Sequence, residues 1–116
     1  MINNGFVCNI DTIYFDKILS KEKKFEGRID KGKWEKLCEG EIITFVSKDG
    51  RECKCLANEI IYYETFRQML EDIGYKLFIP DANSLEEAIE TYNNIPGYLE
   101  AQKDTNVISI ELKLLE

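Results

Sequence analysis

Residues 41–63, EIITFVSKDGRECKCLANEIIYY, contain two extended runs around one turn, and they decide the fold class. Glu41 to Ser47 is rich in β-branched side chains, which suit a pleated, half-buried surface. Lys48-Asp49-Gly50 then supplies the turn chemistry of a hairpin. The second run, Arg51 to Tyr63, is longer than an average strand, so a bend is expected near Ala57-Asn58-Glu59.

Helical spacing begins on the carboxyl side of the hairpin. Thr65 and Gln68 fit a capping box, and Phe66, Met69, Leu70 and Ile73 follow at i, i+3, i+4 and i+7, with Gly74 as a stop. Ser84 and Glu87 repeat the capping pattern ahead of the stripe Leu85, Ala88, Ile89 and Tyr92, which Pro96-Gly97 ends. From Ile108 to Leu114 apolar and polar residues alternate, as on a strand with one buried face. On the amino side, Tyr14, Phe15, Ile18 and Leu19 predict a helix capped by Asp11 or Thr12. Lys24 to Ile29 alternates like a strand that ends at Asp30-Lys31-Gly32, and Trp34 and Leu37 suggest a short helical turn. Strands before, between and after helices predict an α+β domain of mostly antiparallel strands that curl into a small barrel.

The chain has 116 residues and 44% hydrophobic content, which suits one domain spanning residues 1–116. The first four residues open no secretory pattern, and no apolar run approaches the roughly 18 residues of a membrane span, so a soluble cytoplasmic protein is expected. Cys8, Cys38, Cys53 and Cys55 lack the context of a disulfide framework and are expected as reduced thiols. Cys53 and Cys55 would share a strand face, but without a histidine or a second paired motif they are better read as small core residues than as metal ligands. No metal or cofactor is expected.

Charge is unevenly placed. The formal net charge is −7, yet residues 21–36, KEKKFEGRIDKGKWEK, carry seven positive against four negative charges. This positive island on an acidic body points to one local anionic partner. It opposes a broad duplex-DNA surface, which needs extended basic area.

The run Lys23-Lys24-Phe25-Glu26-Gly27-Arg28, followed by Lys33-Trp34 and Glu39-Gly40-Glu41, resembles the signature of the ASCH (activating-signal-cointegrator homology) family, roughly G-x-K-x-hydrophobic-E-x-R. Tyr63-Glu64-Thr65-Phe66 with Met69-Leu70, Ile79-Pro80, Ser84-x-x-Glu87 and the terminal strand follow in matching order. The resemblance implies a PUA-like β-barrel with flanking helices and a cleft for RNA, a nucleotide or a nucleoside. It places Lys23, Glu26 and Arg28 in that cleft, and the family's glycine falls on Lys21. A regular pleat would instead group Lys24 with Glu26 and Arg28. Trp34, Tyr92 and Tyr98 are candidates to stack on a base; Tyr92 lies on a buried stripe and is read as packing, and Trp34 is read as half-buried against the barrel.

Some relatives in the family resemble Lys-x-x-Thr-x-Arg amidohydrolases, and Glu26 occupies the threonine position here. The main expectation is therefore an RNA- or nucleotide-binding module. The alternatives are a small hydrolase of a modified nucleoside or RNA, with Glu26 as general base beside Lys23, and an adaptor for a protein partner. The absence of histidine excludes Ser-His triads and histidine-based ribonucleases, and no phosphate-binding glycine motif is present.

Overall fold

The computed structural model describes residues 5–116, so the reading of the first four residues lies outside it. Five strands form one sheet in the order β1-β3-β4-β5-β2: β1 (Phe6–Ile10), β2 (Phe25–Ile29), β3 (Ile42–Ser47), β4 (Glu52–Tyr63) and β5 (Val107–Leu115). Only the β1–β3 pair is parallel, and the sheet curls as a half-barrel. The α+β, PUA-like expectation therefore holds. Helices α1 (Thr12–Leu19), α2 (Phe66–Ile73), α3 (Leu85–Asn93) and α4 (Tyr98–Ala101) flank it.

The hairpin forms as its turn chemistry requires, with Ile43 opposite Cys55 and Phe45 opposite Cys53. β4 stays one long strand and bends through a register shift between Ala57 and Ile60, the segment where a bend was expected. Two of the three expected caps act as predicted, whereas Asp11 stands at the N-cap of α1 without a side-chain capping bond. Thr65 accepts from the Gln68 N–H and Ser84 from the Glu87 N–H, each satisfying a donor that the first helical turn leaves open.

The two faces of the sheet bury two apolar clusters. One gathers Phe15, Trp34, Ile43, Phe45, Cys55 and Ile110; the other packs Phe66, Met69, Leu70, Phe78, Tyr92 and Val107. β5 lies between them, so Val107, Ile108, Ser109 and Ile110 are all buried. The one-sided burial expected for this strand holds only towards its end. Two elements were not anticipated. β1 owes its place to a parallel pairing with a strand more than thirty residues away, which no local pattern signals. α4 is a single turn after Gly97, whose φ of +84° lets the chain re-enter a helix directly after Pro96.

Candidate functional site

Lys23, Glu26 and Arg28 meet where β2 faces β1. Residues two apart on a strand share a face, so Glu26 and Arg28 project together, opposite Ile110 and Ile108 of β5. Lys23 precedes the strand and escapes its alternation. Its N–H is held by the Lys17 carbonyl at 3.0 Å, and its side chain turns to the same side as Glu26.

The Lys23 Nζ lies 3.0 Å from Glu26 Oε1, 2.8 Å from the Phe25 carbonyl and 2.7 Å from the Phe78 carbonyl. Three acceptors match the three donors of an ammonium. Glu26 Oε2 accepts from Arg28 Nε at 2.7 Å, and an Arg28 η-nitrogen approaches the same oxygen. Lys23 and Glu26 are only 4% and 5% exposed, whereas the Arg28 side chain keeps 23% of its surface. The guanidinium lies over the Trp34 ring, 4.7 Å from its centroid, and donates weakly to Cys8 Sγ on β1 at 3.4 Å.

Burial works against the charge on Glu26, but Lys23 and Arg28 overcome it and hold the carboxyl below its usual range. Burial likewise pulls the Lys23 ammonium down, with Glu26 opposing the shift. Burial also acts against the Arg28 charge, and Glu26 outweighs it, so the guanidinium is held protonated. The phenols of Tyr92 and Tyr98 are pushed up, chiefly by burial, and remain neutral donors. A carboxylate engaged at both oxygens and held acidic is a poor general base. What Glu26 does here is fix two cations.

Beside the triad a hollow of about 280 Å³ opens along the seam between β1 and β2. Asn9, Ile10, Asp11 and Tyr14 form one wall, Lys23, Glu26, Gly27 and Arg28 another, and Thr91, Tyr92, Ile95 and Tyr98 a third. Tyr98 and Tyr92 both stack on Phe66, with ring centroids 5.6 and 4.4 Å from it and nearly parallel planes. Gly27 gives this wall its reach, since a Cβ there would stand 2.7 Å from Met69 Cε and 2.8 Å from the Tyr92 hydroxyl.

Four of the six expected ligand-binding residues, Lys23, Glu26, Arg28 and Tyr98, line this hollow. Lys24 does not. It shares the pleat with Glu26 and Arg28, but it lies at the start of the strand, is exposed and borders a different depression. Trp34 lies outside this lining as well: it is buried against the barrel, at 8% exposed, packed on Phe6, with Arg28 over its ring. Tyr92 packs as read, although it also lines the hollow. The wall from Asn9 to Tyr14 was missed. The apolar run Phe6–Ile10 was its only local signal, and a strand that pairs in parallel gives no turn to mark its partner.

A family model, the ASCH domain, matches residues 9–114. The chain belongs to the ASCH domain family. No curated protein matches it significantly in sequence. Among solved structures it is similar to hypothetical protein PH0355, at 25% identity and TM-score 0.82, covering 95% of this chain and 98% of that one. Protein PF0455 from Pyrococcus furiosus is 28% identical with TM-score 0.78, covering 96% and 97%. A mutant of ZmASCH from Zymomonas mobilis shares the fold at 11% identity and TM-score 0.59, over 92% of this chain and 67% of that chain.

One departure from the ASCH pattern is now explained in structural terms. Lys21 stands where the resemblance expects glycine, and it adopts φ +68°, the left-handed conformation that glycine takes without a Cβ penalty. The tight turn into the strand is therefore kept, and a lysine bears its strain. Cys53 and Cys55 are free, and among the described residues no group of three or more potential ligands could hold a metal ion. Also among the described residues, no helix is long and apolar enough to cross a membrane.

Proposed function

We propose that this ASCH domain binds RNA or a nucleotide by taking a single base or nucleoside into the hollow between β1 and β2. The observation that carries this reading is a partly exposed, fixed Arg28 beside the ring of Tyr98 in a hollow of about 280 Å³. That size sits at the lower end of small-molecule sites, so it suits one base better than a stacked run. Arg28 offers a planar fork to phosphate or to a base edge, and Tyr98 offers an aromatic surface already steadied by Phe66. Lys23 and Glu26 act as positioning residues, because their hydrogen-bonding groups are spent on each other, on backbone carbonyls and on Arg28.

Titration with nucleoside monophosphates and a short single-stranded RNA tests the reading. Tyr98→Ala should cost about 1–3 kcal/mol of binding, the usual value of one stacked base. Arg28→Lys keeps the charge but loses the fork, so it should weaken binding while leaving the salt dependence nearly unchanged. Affinity that survives both substitutions intact would remove the hollow as the binding site.

A further inference from the structure

A second depression of about 350 Å³ lies at the other end of the same strand, and Lys23 contributes to the walls of both. Its floor is apolar, from Ile18, Cys55, Leu112 and Leu114, and its rim carries Lys21, Lys24 and Lys113 with a single acid, Glu116. Glu116 pairs with Lys21 at 3.5 Å. Among the described residues, Lys24 and Lys113 have no acidic partner.

Both border the same depression, on a protein whose net charge is −7. Lys17, Arg51 and Arg67 each touch two carboxylates, whereas Lys24 and Lys113 combine the lack of an acidic partner with a place on the rim of one depression. Lys24 is held in place from its backbone, with its N–H on the Leu77 carbonyl of the turn after α2 and its carbonyl on the Leu112 N–H of β5, so its position on the rim is fixed from both sides.

We propose that this lysine rim is a phosphate-contacting track for single-stranded RNA, which runs past Lys24 and Lys113 while one of its bases occupies the hollow on the other side of Lys23. The inference rests on the proposed nucleotide-binding function. An ammonium suits a mobile polyanion backbone, as it contacts phosphate as a point charge and demands no fixed geometry. The division of labour is then chemical: the forked Arg28 and the tyrosine ring face the base, and the flexible lysines meet the backbone.

The experiment uses the intact chain, a mixed-sequence single-stranded RNA of about ten nucleotides, the four nucleoside monophosphates, and a polyglutamate peptide of similar charge. Lys24→Gln/Lys113→Gln changes two exposed residues without ion-pair partners, so its fold should be unaffected. Each lost phosphate contact reduces the slope of log affinity against log salt by about 0.7 for a single strand, so the double variant should lose about 1.4. Between roughly 50 and 200 mM salt its RNA affinity would then fall about sevenfold less than that of the wild type. Monophosphate binding should stay at the wild-type level. RNA bound with an unchanged salt slope in the double variant would overturn the track and leave the base hollow standing. Failure of the wild type to bind either RNA or monophosphate would overturn both. Capture of polyglutamate in place of RNA would show that the rim serves an acidic protein segment and would overturn the RNA assignment.

Discussion

The two edges of β2 are closed by different chemistry. On one side Phe25–Ile29 pairs with Glu111–Val107 of β5 in an antiparallel ladder. On the other side, towards β1, side chains do the joining: Arg28 reaches Cys8, and Lys33, just beyond the strand, reaches the Val7 carbonyl. A backbone ladder holds strands about 4.8 Å apart and leaves no space between them. Long charged side chains span a wider gap, and the hollow of about 280 Å³ lies in it. The domain thus gains a cavity by leaving its sheet unclosed and sealing the seam with charge.

If charge seals the seam, removing the central carboxylate should be the most damaging change. Glu26→Gln leaves a buried Lys23 and a half-buried Arg28 together without their counter-ion, and breaking a buried pair in this way costs about 3–5 kcal/mol. Urea unfolding at neutral pH should show a midpoint lowered accordingly. The pH dependence gives an independent signature. The folded carboxyl sits below its unfolded value, so its stabilisation is present above the ordinary carboxylate range and lost as pH falls through the folded pKa. The gap between wild type and Glu26→Gln should therefore shrink on acidification. A gap that stayed constant would mean that shape, and not charge, closes the seam.

The next test strikes the same strand without touching charge. Gly27 points to the opposite face, where an added Cβ meets Met69 Cε at 2.7 Å and the Tyr92 hydroxyl at 2.8 Å. The end of Met69 can swing away, but Tyr92 is buried and stacked on Phe66 and cannot move without disturbing that pair. Overpacking of this kind costs about 1–3 kcal/mol, so Gly27→Ala should lose less than Glu26→Gln, with no special dependence on pH. A loss that grew or shrank with pH in parallel with that of Glu26→Gln would show the two faces to be coupled through β2.

Most of the ladder side of this comparison was legible in the sequence, because strand alternation, the Lys48-Asp49-Gly50 turn and the two capping boxes are local signals. The seam was legible only in part. Glu26 and Arg28 followed from the pleat and from the family pattern together. Lys23 and Lys24 could not be separated by periodicity, since the answer depends on where the pleat begins, and Lys23 is tied to α1 just outside it. Trp34 was legible as a barrel-packing residue but not as the partner of Arg28, because whether an aromatic ring meets a base or the protein's own guanidinium depends on tertiary placement. The wall from Asn9 to Tyr14 came from a parallel pairing, which leaves no mark in adjacent residues.

The mildest test concerns the turn that delivers Lys23 to the seam. Lys21 holds φ +68°, and a left-handed conformation costs an L-residue about 1–2 kcal/mol. Glycine removes that cost but adds about 0.5–1 kcal/mol of backbone freedom in the unfolded chain. The Lys21–Glu116 pair at 3.5 Å is well exposed on both sides and adds little against this balance. Lys21→Gly should therefore raise stability by up to about 1 kcal/mol, read as a higher urea midpoint. Lys21 also borders the lysine rim, but it already has an acidic neighbour, so its loss should lower the RNA salt slope by less than the removal of Lys24 or Lys113. A lowered midpoint would mean that the pairing with Glu116 outweighs the backbone strain. A slope change equal to that of Lys24→Gln would put Lys21 in direct contact with phosphate and make its departure from glycine a gain in binding obtained at the expense of the turn.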